Sequence, residues 1–326
     1  MEYALIVFRQ ICIMAMMVGV GFLLAKLLKL DMEGSRQMSQ LLTRVVTACV
    51  IFRSFLEVEA DAENLSLLFA SWLLCLIGHL IAMFLGKILF LKQKKADSAV
   101  SKFALTFTNN GFLGIPLVMA LCGTKGVFFA SAAVMISNAL TWSYGLSLFQ
   151  EDKKGMIKKL AAQPTLWAVA AGLTAFLLRM FTPLGTETLP PLAEALLGPL
   201  QTALNYLADM YTPLAMTIMG LNLYYAGIKQ AFLTPKCYFI SFLRQMFIPF
   251  LLLLVMLILP FRDRELLLSV YVVAACPCAM LTSILAVQYG NQTQQTEAAR
   301  TVVVSTLFSP LTIPLMVLIG SLILGI

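Results

Sequence analysis

Apolar runs long enough to cross a lipid bilayer recur from one end of the chain to the other, and no stretch of more than about 40 residues is free of one. That feature excludes most folds. A helix needs roughly 20 apolar residues to traverse the hydrocarbon core, and there every backbone N–H and C=O must be paired within the protein. Of 326 residues, 60% are hydrophobic and 12% charged, about half the charged share of a soluble domain. Too little polar surface remains to coat a water-soluble globule. The expectation is an all-α polytopic membrane protein without a separate soluble domain.

Ten spans are expected: Ala4–Leu27, Met38–Leu56, Leu65–Leu89, Val100–Leu121, Val127–Phe149, Pro164–Met180, Pro199–Ala226, Tyr238–Leu259, Glu265–Tyr289 and Ala298–Ile326. Thr182–Gly198, rich in Pro and Gly, reads as a loop with a short surface helix. Met1-Glu2-Tyr3 lacks a basic n-region and no small-residue cleavage site follows the first run, so that run reads as a mature span. All but Cys237 of the seven cysteines lie in or beside apolar runs, which is no disulfide framework.

The net charge of +7 is spread in short clusters between the runs, as in membrane loops, and gives no reason to expect nucleic acid. With the N-terminus outside, the inside loops carry Lys26, Lys29 and Arg36; Lys87, Lys92, Lys94, Lys95 and Lys102; Lys153, Lys154, Lys158 and Lys159; Lys229 and Lys236; and Arg300. The outside receives Arg9, Arg53, Lys125, Arg179, Arg262 and Arg264. This positive-inside bias places both termini outside the cytoplasmic membrane.

The chain looks duplicated. Residues 1–150 and 151–326 each hold five spans, and an odd number per copy requires inverted repeats. In each half the fourth span is interrupted: by Thr106 to Pro116, through Asn109-Asn110-Gly111, and by Ala274 to Ala279, through Cys276-Pro277-Cys278. Paired interruptions at matching places are the best sequence pointer to a transporter's central site. Pro277 removes a helical donor and clashes with the preceding turn, while Gly111 and Gly114 lower helix propensity. Freed N–H groups at a half-helix start suit a carboxylate, and freed carbonyls at a half-helix end suit a cation.

The segment from Asn109 through Gly111, Gly114, Ile115 and Pro116 to Leu117 closely resembles the motif of the auxin efflux carrier family. Ala286-Val287-Gln288-Tyr289-Gly290 and then Ser305 to Pro314 resemble its C-terminal signature. The resemblance covers nearly the whole chain and is to the short prokaryotic type, linked to malate, malonate and similar acids. It implies ten transmembrane helices as two inverted five-helix repeats with crossing broken helices 4 and 9, similar to sodium/proton antiporters and bile-acid symporters. Spans 1, 2, 6 and 7 would form a scaffold, expected to be homodimeric. Spans 3–5 and 8–10 would carry substrate in an elevator-like motion. Thr108 stands where members often have Pro, and Ala48-Cys49 where they often have Pro-Ala, which argues against plant-type auxin specificity.

The expected function is secondary transport of a small organic anion. Candidate substrate-binding residues are Asn109, Asn110, Gly111, Gly114, Pro116, Asn138, Cys276, Pro277, Cys278 and Ser305. By motif match Asn109 is the carried-over substrate contact. Asp209 and His79 are candidates for proton or sodium coupling, each with a plainer reading: an interfacial cap, and a hydrogen-bonded buried histidine. Arg44 and Arg244 read as snorkelling to the interface, with anion attraction as the alternative. Glu297 and Arg300 read as an (i, i+3) surface pair. Ser305, Thr306 and Ser309 either line a cavity or join helices. No cofactor or metal is expected, and no catalytic constellation is present. Rival readings are a soft-metal (Cu or Zn) carrier using Cys276 and Cys278, and a non-transporting membrane receptor.

Overall fold

The computed structural model describes residues 2–150, 155–182, 191–225 and 234–325. Lys153, Lys154, Lys229 and most of the expected loop before Gly198 lie outside the described residues or outside those with described side chains. Among the described residues every named element is helical. In chain order they are α1 (Glu2–Leu27), α2 (Met32–Glu57), α3 (Ala62–Leu89), α4 (Lys95–Thr106), α5 (Asn110–Phe149), α6 (Met156–Ala161) and α7 (Pro164–Phe181). Then come α8 (Pro191–Asp209), α9 (Tyr211–Tyr225), α10 (Pro235–Ile258), α11 (Arg264–Ala275), α12 (Leu281–Tyr289) and α13 (Gln292–Leu324).

Seven described helical stretches are long and apolar enough to cross a membrane: α1, α2, α3, α5, α7, α10 and α13. Several start where the sequence supplies a cap. Asp61 accepts from the Asn64 amide at the start of α3, and Asp263 from the Leu266 amide at the start of α11. Asn291 and Gln294 form a capping box at the start of α13. α5 has 40 residues; as a straight rod it would run roughly 60 Å, twice the hydrocarbon thickness. It is not straight: Gly123 (φ 60°, ψ −151°) separates two helical arms. The arm before it completes the fourth expected span, and the arm after it is the fifth.

Three expected spans are interrupted. The fourth and ninth break where the sequence indicates. The seventh, expected to be continuous from Pro199, is instead two helices, α8 and α9, parted at Met210. The described residues 191–198, expected to belong to a loop with its own surface helix, are the first turns of α8. Pro213 explains the break. It has no N–H for the Asp209 carbonyl and its ring crowds that carbonyl, so the helix stops there.

The packing has two centres. α1 lies along α9, and α2 along α7 and α8. The α1–α9 seam is built on glycine: a Cβ on Gly21 would sit 2.1 Å from the Thr217 carbonyl oxygen, and one on Gly220 would sit 2.1 Å from that of Val18. Around the other centre α3, α10 and α13 surround the broken pair α4/α5 and α11/α12, with α5 packed on α11. The end of α2 is held from α7, where Arg179 Nη1 donates to the carbonyls of Phe55, Leu56 and Val58 at 3.2, 2.6 and 3.2 Å.

Candidate functional site: two paired helix breaks

The two interruptions meet. Phe107 and Thr108 are extended after α4, and Cys276 to Ala279 are unwound after α11. The segments run antiparallel, with Thr108 opposite Cys278. Asn109 N donates to the Pro277 carbonyl at 2.8 Å, and Ala279 N donates to the Phe107 carbonyl at 2.9 Å. Each segment thus satisfies a peptide group of the other in a buried setting, where an unpaired one costs several kcal/mol.

The local causes differ between the two breaks. In the second, Cys276 precedes proline and is extended (φ −63°, ψ 153°), which ends α11 at Ala275. The first has no proline before Asn109. Here the Asn109 side chain accepts from the Phe112 amide at 3.3 Å and caps a π-turn, Asn110–Gly114. Asn109 is buried, and its Nδ2 has no hydrogen-bond partner among the described residues.

Several candidate residues are already committed to other partners. Asn110 Nδ2 donates to the Ala133 carbonyl at 3.2 Å, and the Gly111 carbonyl accepts from the Tyr211 hydroxyl. Gly114 faces the Cys276 sulfur, and Pro116 is buried at the start of the following α-helical run. Ser305 Oγ accepts from the Cys278 amide at 3.3 Å, so α13 supports the second break. Asn138 Nδ2 donates to Thr165 Oγ1 at 2.7 Å, tying the later arm of α5 to α7. Cys276 and Cys278 are fully buried and belong to different apolar clusters, and the Cys276 thiol donates to the Val272 carbonyl at 3.4 Å.

The ion-coupling candidates lie apart from each other. Asp209 is exposed and accepts from Arg53 Nη1 at 2.7 Å. His79 is buried, with Nδ1 2.8 Å from the Cys75 carbonyl and Nε2 2.8 Å from Ser137 Oγ. A cavity of about 20 Å³ beside it is lined by His79, Thr106, Thr108 and Arg244.

Arg244 does not snorkel. It is 3% exposed, in the π-turn Leu243–Phe247 of α10. Its Nη1 donates to the Leu105 carbonyl at 2.8 Å and its Nη2 to the Ala274 carbonyl. Leu105 and Ala274 each stand one residue before the end of a half-helix, so one guanidinium caps both. The expected snorkelling fails because these carbonyls, released by the breaks, give the cation two acceptors inside the protein. Arg44 is exposed, consistent with an interfacial position. The expected Glu297–Arg300 pair is also corrected. Glu297 accepts from Lys236 Nζ at 2.7 Å and Ser101 Oγ at 2.8 Å, while Arg300 donates to Thr234. Lys236 reaches Glu297 from the neighbouring α10 and takes the carboxylate first.

A larger cavity, about 630 Å³, lies between the two packing centres. Its walls are the start of α2, the end of α9, the start of α12 and the adjoining part of α13. Ser35, Ser39, Asn222, Ser283 and Thr306 supply polar groups, Glu33 and Arg36 form an ion pair at 2.7 Å on the wall, and Met280 brings the cavity to the end of the second break. Ser35 Oγ donates to Asn222 Oδ1 at 2.9 Å across it. None of the ten candidate substrate residues lines this cavity, although Thr306, weighed beside Ser305, does. The spacing of Ser35 and Ser39, one helical turn apart, was the available signal for the missed wall.

Paired, buried helix breaks inside a bundle of membrane-length helices define a class: multi-pass α-helical membrane proteins with an interrupted centre. A family model described as membrane transport protein matches residues 6–165 and 154–317. The chain belongs to that family, the auxin efflux carrier family that its motifs resemble. It is 25% identical over 307 residues, 92% of this chain and 93% of the relative, to an uncharacterized transporter of Methanothermobacter thermautotrophicus. Family and relative together make the chain a membrane transporter.

Proposed function

We propose that the protein is a secondary transporter of small carboxylate-bearing organic acids, working by alternating access. The observation that supports this most is the mutual pairing of the two breaks beside a cavity of about 630 Å³, a size usual for a small-molecule site. The N-terminal turn of α12 borders that cavity, with Arg36 near its wall. Partial positive charge at a helix start favours a carboxylate; the Arg36 guanidinium is already paired with Glu33, which also lines the cavity, at 2.7 Å, so an incoming carboxylate would have to compete for it.

In this reading the chain crosses the membrane ten times as inverted repeats of residues 1–150 and 151–326. α1, α2, α7, α8 and α9 form the scaffold, which pairs with a second copy. The remaining helices around the breaks form the moving unit, and Asn109, with its unpartnered amide nitrogen, contacts substrate during the cycle. The cavity then opens to the cytoplasm, because its α2 wall begins beside the basic cluster of Lys26, Lys29 and Arg36. Both termini lie outside.

Reconstitution in liposomes tests the proposal. Labelled dicarboxylates and aromatic acids should be taken up, and Asn109→Ala should abolish uptake. Copper(I) flux that Cys276→Ser removes, with no acid flux, would replace this reading with a metal carrier. Saturable acid binding without flux would make the protein a receptor.

A further inference from the structure

The charge arrangement at the crossing points to a second role within that site. The C-termini of α4 and α11 converge on one place, and each helix end carries roughly half a negative charge. Together they amount to about one unit of negative charge, in a setting where charge is poorly screened. Half-helix ends and unwound carbonyls of this kind are where transporters hold a coupling sodium ion or proton. Here Arg244 reaches in from α10, outside both broken helices, and donates to one carbonyl of each. Among the described residues no carboxylate pairs with it, and its buried Nε has no partner. The helix ends are its counter-charge. The adjoining cavity of about 20 Å³ has room for one water-sized occupant.

We propose that Arg244 is a fixed cation built into the crossing, which takes the position of a coupling metal cation and makes transport independent of sodium. The inference rests on the carrier reading above. Guanidinium chemistry suits the task. Its planar fork spans two diverging carbonyls and stays charged, whereas a lysine ammonium is one compact point charge. A sodium ion entering beside it would meet like charge, at carbonyls already engaged. α10 packs on α3 and α13 and touches α11, so the fixed charge belongs to the same packing centre as the breaks it caps.

Thermal unfolding of the purified protein tests the site without requiring transport. The wild-type midpoint should be the same in sodium chloride and choline chloride. Arg244→Ala should melt lower, and millimolar ethylguanidinium or sodium should raise its midpoint more than that of the wild type. Arg244→Lys should fall between the two. A saturable sodium stabilisation of the wild type overturns the proposal, and this comparison stands even if the alanine variant does not fold. A folded Arg244→Ala protein that gains nothing from either cation also overturns it. In liposomes, acid uptake should be unchanged when choline replaces sodium on both sides. Uptake that requires sodium removes the fixed-cation role and leaves the carrier reading intact. No uptake in any salt, with the melting pattern as stated, removes the carrier reading and leaves the cation site.

Discussion

The hydroxyl of Tyr211, the first residue of α9, donates to the carbonyl of Gly111 in the π-turn that opens α5. The break in the seventh expected span is therefore tied to the break in the fourth, across the boundary between the two packing centres. Tyr211→Phe removes the donor and leaves a half-buried carbonyl short of a partner, a loss of about 1 kcal/mol. If the two centres move apart during transport, this bond favours the conformation described here. The variant should then lower the rate at which a thiol placed by Ser283→Cys reacts with a polar maleimide, on the order of ten-fold. An unchanged rate means that the bond does not hold this conformation.

Asn109 should separate stability from flux. Asn109→Ala loses one cap to the Phe112 amide, which costs about 1 kcal/mol. The melting midpoint should fall by only a few degrees while acid uptake falls to background. Uptake that survives with the modest destabilisation would confine Asn109 to a capping role.

The glycine seam gives a test that is independent of transport. Gly220→Val would drive a side chain into the Val18 carbonyl and the Phe22 amide, both main-chain atoms unable to swing aside. Overpacking of this kind costs about 1–3 kcal/mol or more, so the variant should lose monodispersity or melt many degrees lower. Gly19→Ala, two residues before Gly21 and on the opposite face of α1, with nothing within 4 Å of the added methyl, should be neutral or gain up to about 1 kcal/mol of helix propensity. Size-exclusion profiles and melting curves of both variants read this directly.

Arg179 offers the opposite pattern to Asn109. Arg179→Met keeps much of the stem but leaves the carbonyls of Phe55, Leu56 and Val58 without their donor. A loss of about 1–3 kcal/mol in stability is expected, with the apparent affinity for substrate unchanged. A change in affinity without a change in melting would move Arg179 into the transport pathway.

The breaks were legible because their causes are local. Pro277 forbids its own amide bond and pushes Cys276 into an extended conformation, which no tertiary contact needs to supply. Pro213 carried the same information, yet a span drawn through it hid the break between α8 and α9. The place of Arg244 is not legible in the sequence because its partners, Leu105 and Ala274, lie 139 and 30 residues away. An arginine inside an apolar run has two destinations, the interface or an internal acceptor. Only the meeting of two helix ends decides between them. The wall of the large cavity escaped for a related reason. Ser35 and Asn222 are 187 residues apart and become neighbours only when α2 and α9 pack.

At Gly21 and Gly220 the two backbones of α1 and α9 touch with nothing between them. Such a seam has no side chains to repack, and a shift of even one turn would put larger residues into the same gap. It behaves as a weld. Any large displacement in this protein must therefore slip along other faces, with α1 and α9 carried or left behind as one piece.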